Sequence, residues 1–179
     1  MEPAPEDEAT RLALAARDGD PVAVAAFVRA TQQDVWRLCA ALIDRQSADD
    51  LTQETYLRAL KALPQFAGRS TVRTWLLGIG RRTCADHIRT LTRRRRLDAR
   101  VHAQPRPTDT PPTDELLAVT DLLARLPAER RAAFVLTQVV GLSYAEAAEV
   151  ERVAIGTIRS RVARARDDLI AAWSRTATV

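Results

Sequence analysis

Apolar residues recur along this chain with the 3.6-residue period of helices, and no segment shows the strict alternation of a half-buried strand. The pattern is clearest at Ile158, Val162, Ala165 and Leu169, which line one helix face, while Arg159, Ser160, Ala163, Arg164 and Arg166 fall on the remaining surface. The same periodicity predicts helices from Leu12, from Pro21 to near Asp44, and from Ala48 to Leu63. A further helix runs from Ser70 or Thr71 to about Arg96, with Trp75, Leu76, Ile79, Cys84 and Ile88 facing inward. In the third of these, Leu57, Leu60, Ala59 and Leu63 are assigned to the inner face. Asp50, Gln53, Glu54, Arg58 and Lys61 take the outer one.

Start and stop signals punctuate the pattern. Asp20-Pro21 is an N-cap followed by a proline at the first helical position. Pro64 stops one helix, and Gly141 closes another as a C-cap. Ser143 and Glu146 have capping-box spacing and open a short helix that ends near Glu151, just before the arginine-rich one. The pair reads as a helix-turn-helix.

Proline and threonine mark a change of character between the halves, with Pro105, Pro107, Pro111 and Pro112 close together after Arg93–Arg96. The expected organisation is all-α: a helical domain at 10–96, a flexible linker at 97–112, and a second helical domain at 113–175 that opens with Thr113 as a cap.

Charge sharpens this division. The net charge of +4 is uneven: residues 1–60 hold 6 basic and 11 acidic side chains, residues 61–112 hold 12 and 3, and residues 113–179 hold 9 of each. An acidic front beside a basic middle suggests one protein-facing and one nucleic-acid-facing surface. All but one of the basic residues are arginine, which suits phosphates and guanine edges but also follows from a GC-rich genome. Enzyme chemistry finds no footing, because no metal-ligand spacing, nucleophile elbow or phosphate-binding glycine loop is present, and neither a metal nor a cofactor is expected. Cys39 and Cys84 are far apart in sequence and lie on apolar helical faces, as small core residues do. Nothing at the N-terminus has the pattern of a signal peptide, and no apolar run is long enough to span a membrane. A soluble, cytoplasmic protein is expected.

Four segments together resemble a known family. Asp49-Asp50-Leu51-Thr52-Gln53-Glu54-Thr55-Tyr56-Leu57-Arg58-Ala59 is similar to region 2.2 of bacterial sigma factors. Thr74–Arg81 with Asp86–Arg89 resembles regions 2.3 and 2.4. Leu126–Arg131, Gly141–Ala148 and Gly156–Arg161 resemble region 4. Two regions joined by a short linker resemble the extracytoplasmic-function (group IV) sigma factors, and the match covers about four-fifths of the chain.

The resemblance implies a promoter-specificity factor for core RNA polymerase, associated with the bacterial nucleoid when in holoenzyme, and commonly held by an anti-sigma factor. Asp49, Asp50, Gln53, Glu54 and Arg58 would meet the clamp helices of the largest subunit, with a further contact to the flap region. Phe66, Gly68, Arg69, Ser70, Thr71, Arg73, Thr74, Arg81, Arg82 and Arg89 would bind and open the −10 element. Phe66 has two readings, a stacking surface for a flipped base or an anchor for its own loop. Gly156, Thr157, Arg159, Ser160, Arg161, Ala163 and Arg164 would bind the −35 element in the major groove. Arg159, Ser160, Ala163 and Arg164 stand nearest the bases, and Thr157 and Arg161 nearest the phosphates. Arg152 stands where the family often has glycine and Ala154 where it often has proline. The alternative is a helix-turn-helix regulator with no polymerase role, which leaves 49–59 unexplained.

Overall fold

The computed structural model describes residues 7–101 and 115–176, and among them every regular element is helical. The order is α1 Glu8–Arg17, α2 Pro21–Leu42, α3 Arg45–Ala62, α4 Val72–Val101, α5 Glu115–Ala124, α6 Ala128–Phe134, α7 Tyr144–Glu151 and α8 Ile155–Thr176. A 3₁₀ turn at Leu63–Gln65 follows α3, and a π turn at Val135–Val139 extends α6.

Side-chain caps decide where the helices begin. Asp20 accepts from the Val22 and Ala23 amides, with Pro21 already inside α2. α3 starts two residues before Ser47, because Asp44 accepts from the Ser47 amide at 2.6 Å and so caps the helix itself. At α4, Thr71 is the capping residue, its hydroxyl accepting from the Thr74 amide at 3.2 Å. The Ser143–Glu146 capping box is fully formed at α7. That helix ends on Arg152 with φ 55° and ψ 46°, the left-handed conformation that costs a non-glycine residue about 1 kcal/mol.

α1–α4 form the first bundle, built on Phe27, Val35 and Leu38 of α2, Leu51, Tyr56 and Ala59 of α3, and Val72, Leu76, Leu77 and Cys84 of α4. α2 and α4 approach closely at Gly80, where a Cβ would stand 3.1 Å from Leu38 Cδ2. α5–α8 form the second, with Leu136, Ile158, Val162 and Ala165 fully enclosed and Arg130 paired to Asp168 at 2.7 Å.

Three expectations need correction. α4 continues to Val101, through residues assigned to the linker, because no helix breaker occurs before Pro105 and arginine is a good helix former. Leu57 and Leu60 point outward, not inward; α3 buries the face carrying Leu51, Thr55, Tyr56 and Ala59 instead. Ile88 is also exposed. The Thr113 start and the linker from 102 onward lie outside the described residues.

The two bundles pack on each other: α7 lies along α4, and α5 and the π turn rest against α2. Their buried apolar residues form one continuous cluster.

Candidate nucleic-acid interface

α8 presents the surface its sequence implies. Ile158, Val162 and Ala165 are sealed into the second bundle, while Gly156, Arg159, Ser160, Ala163, Arg164 and Arg166 are exposed. Thr157 is half-buried, and its carbonyl accepts from the Ser160 hydroxyl at 2.9 Å. Among the described residues the guanidinium groups of Arg159 and Arg164 have no acidic partner, so a polyanion would meet them with no such ion pair to break. Arg161 differs from the others. Its side chain is 18% exposed and reaches Glu129, with Glu151 at 4.0 Å, so it ties α8 to α6 and α7. A phosphate would have to displace those carboxylates.

The second basic surface lies on the loop before α4 and along that helix. Gly68 takes φ 64°, turning the loop where a side chain would be strained. Phe66, 4% exposed, packs against Trp75 with ring centroids 5.0 Å apart and the ring planes tilted by 45°. Of its two readings this arrangement favours the anchor: the ring is buried beside Trp75, and the Phe66 carbonyl accepts from Arg17 at 3.3 Å. Arg69, Arg82 and Arg89 are exposed, and Ser70 and Thr71 half-buried.

Arg73, Thr74 and Arg81 are turned into the second bundle. Arg73 pairs with Asp34 at 2.6 Å and donates to the Val140 carbonyl. The Thr74 hydroxyl donates to Glu146 at 3.2 Å, and Arg81 pairs with Glu151 at 2.8 Å. Glu151, 8% exposed, also faces Arg161, so one buried carboxylate holds an arginine from each candidate DNA surface. Burial pushes the Glu146 carboxyl up, but the Ser143 hydroxyl and amide, the Thr74 hydroxyl and the Arg73 charge outweigh it and leave the carboxyl below its ordinary range. Burial, followed by repulsion from Arg152, lowers Arg82.

The acidic face of α3 is the third candidate surface. Asp49, Asp50 and Gln53 are exposed, and Asp49 accepts from the Trp36 indole at 2.9 Å. Arg58 bridges Glu54 at 2.7 Å and Asp86 at 2.8 Å, which partly neutralises Glu54 and fixes α3 to α4. Leu57, 57% exposed, and Leu60 continue this face toward Val28 of α2. Sequence reasoning missed both leucines as surface residues. The available signal was the second apolar stripe, Leu51-Thr55-Ala59-Leu63, which competes with theirs.

Comparison with known proteins identifies the family of this chain. The sigma-70 region 2 family profile matches residues 27–94, and the sigma-70 region 4 profile matches residues 116–169. The ECF RNA polymerase sigma factor SigC of Mycobacterium tuberculosis is 50% identical over 179 residues, covering 94% of this chain and 93% of that protein. The chain belongs to the ECF sigma factors. The ECF RNA polymerase sigma-E factor of Haemophilus influenzae is 30% identical, covering 84% of this chain and 87% of its own. Among solved structures, CnrH in complex with the cytosolic domain of CnrY aligns with a TM-score of 0.75 and 27% identity, over 94% of this chain and 99% of that one. The sigma factor RpoE of Bartonella quintana, bound to the anti-sigma factor NepR, aligns at 0.67 and 28% identity, over 79% and 91%.

In this ECF sigma factor the region 2 match runs from within α2 through α3 into α4, and the region 4 match from α5 into α8. No helix among the described residues is long and apolar enough to cross a membrane, and no cluster of metal-ligating side chains occurs among them.

Proposed function

We propose that this ECF sigma factor docks core RNA polymerase on the α3 face and holds promoters with two DNA surfaces, the loop and first turns of α4 for the −10 element and α8 for the −35 element. The observation that carries the reading is α8 itself: one face sealed by Ile158, Val162 and Ala165, the other offering Arg159, Ser160, Ala163 and Arg164 with no acid among them. A helix of this kind enters the major groove, and a bidentate arginine–guanine contact supplies about 1–3 kcal/mol of discrimination there. On α3, Asp49, Asp50 and Gln53 offer charge to basic clamp helices, and Leu57 and Leu60 supply the apolar contact that a stable interface needs.

The packed arrangement sets a condition on promoter opening. Glu146 and Glu151 of α7 occupy Thr74 and Arg81, where the −10 phosphates would bind. DNA and α7 compete for one set of donors, so region 4 swings away from region 2 as the promoter is engaged. The structural relatives were solved with a partner bound, and an anti-sigma factor that stabilises the packed form would keep this chain off DNA by the same competition. The protein works in the cytoplasm, on the nucleoid when in holoenzyme.

The test is start-site mapping of transcripts made by core polymerase with and without the chain on genomic DNA. The expected result is a discrete set of new start sites sharing −10 and −35 sequences. DNA binding with no polymerase association and no new starts would favour the helix-turn-helix regulator instead.

A further inference from the structure

Two thiols from different helices meet inside region 2. Cys39 on α2 and Cys84 on α4 are the chain's two cysteines, and both are fully buried. Their sulfurs lie 3.7 Å apart. A disulfide needs about 2.05 Å, so the gap to close is about 1.7 Å, within reach of side-chain rotation and a small helix shift. Neither thiol belongs to the DNA surfaces or the polymerase face.

Their surroundings give the two sulfurs different chemistry. The Cys84 thiol donates to the Cys39 sulfur. The Thr52 hydroxyl is buried near Cys39 with no hydrogen-bond partner, whereas the Thr55 hydroxyl donates to the Leu51 carbonyl at 2.7 Å. The Cys84 hydrogen bond outweighs burial and lowers the Cys39 thiol; the same bond and burial raise Cys84. Of the two, Cys39 is the sulfur that loses its proton more readily, and Cys84, 3.7 Å away, is the neighbour placed to resolve what forms on it.

We propose that Cys39 and Cys84 are an oxidisable pair that closes to an intrachain disulfide between α2 and α4 when the protein meets a hydroperoxide. With hydrogen peroxide, the Cys39 thiolate attacks one peroxide oxygen and the O–O bond breaks. Cys39 becomes a sulfenic acid, and the released hydroxide takes up the proton that Cys39 gave. The Cys84 sulfur then attacks the sulfenic sulfur, forms the S–S bond, and expels hydroxide, which takes the Cys84 proton. Two thiols and one peroxide yield one disulfide and two waters. Because both sulfurs are buried, the oxidant enters through local opening of region 2, and the pair reacts more slowly than an exposed thiol. The bond staples the two helices on which region 4 rests, since α7 packs on α4 and the π turn on α2. In a reducing compartment such a bond is transient, as befits a sensor more than a structural link.

The experiment exposes the folded full-length chain to hydrogen peroxide, removes the excess with catalase, then denatures, alkylates and weighs it. The pair predicts a monomer about 2 Da lighter than the reduced chain, with no alkylated cysteine and with the peptides holding Cys39 and Cys84 joined. Dithiothreitol restores both alkylation sites, and Cys39→Ser leaves Cys84 alkylatable at the same peroxide dose. The proposal is overturned if both thiols stay alkylatable under conditions that oxidise the denatured chain. Sulfinic or sulfonic acids, or disulfide-linked dimers, overturn it equally. The wild-type measurement decides the matter even if a cysteine variant does not fold.

Discussion

At the residue scale, the arginines and the one phenylalanine of the DNA surfaces separate by what already occupies them. Arg159 and Arg164 stand free on α8, whereas Arg161 holds Glu129 and Glu151, and Arg81 holds Glu151. The sequence shows every one of them as an arginine at a plausible helical position; their partners lie 10 to 70 residues away and carry no local signal. Phe66 makes the same point. Its place in the loop leaves stacking on a base and anchoring the loop equally open, and its burial against Trp75 favours the anchor. Phe66→Ala is expected to cost about 3–5 kcal/mol of stability, the range for deleting a buried aromatic ring, read as a fall in Tm or denaturant midpoint of the free protein. A variant as stable as wild type that loses only DNA binding would return Phe66 to the base-stacking role.

Helices were legible where caps and one apolar stripe agreed, as at α2, α7 and α8, and less so where two stripes competed. On α3 the pair Leu57 and Leu60 outweighed Thr55, Tyr56 and Ala59 in hydrophobicity, yet the smaller and more polar residues are the buried ones. Tyr56 earns its place through an edge-on contact with Phe27 and a 2.7 Å hydrogen bond to Thr31, neither of which hydrophobicity alone can announce. α7 carries a pH dependence of its own. Glu146 is held below its ordinary value, so its stabilising contribution is full above the unfolded carboxylate pKa and is lost as pH falls through the lower folded value. The capping box and the bond to Thr74 should therefore weaken together in acid. Glu146→Gln is expected to flatten the loss of thermal stability below about pH 4.5, the ordinary glutamate range, relative to wild type. An unchanged acid limb in thermal melts taken from pH 7 to pH 3 would contradict that assignment.

Over the whole molecule, two regions were readable from composition alone, because proline, charge and motif order all change near residue 100. Their mutual packing was not readable: it depends on Glu146 and Glu151 meeting Thr74 and Arg81, 70 or more residues away in the chain, with no local signal for either contact. Removing the Glu151 charge leaves Arg81 and Arg161 without their shared carboxylate, an uncompensated arrangement that opening to solvent relieves. Glu151→Gln is expected to enlarge the radius of gyration in solution scattering and to tighten binding of a single-stranded −10 oligonucleotide severalfold. A variant as compact as wild type with unchanged binding would remove the competition between α7 and DNA. On the proposed function, core binding and promoter binding fall on separate surfaces of one factor, and this separation makes the two activities independently removable. It is tested most directly by measuring core-polymerase affinity and promoter-specific run-off transcription on the same preparations of wild type, Leu57→Asp and Arg164→Ala. Leu57→Asp should lose both, whereas Arg164→Ala should keep core affinity within about twofold while transcription falls about tenfold, the middle of the range for one arginine–base contact. Equal loss of both activities in Arg164→Ala, or full transcription by Leu57→Asp, would contradict it.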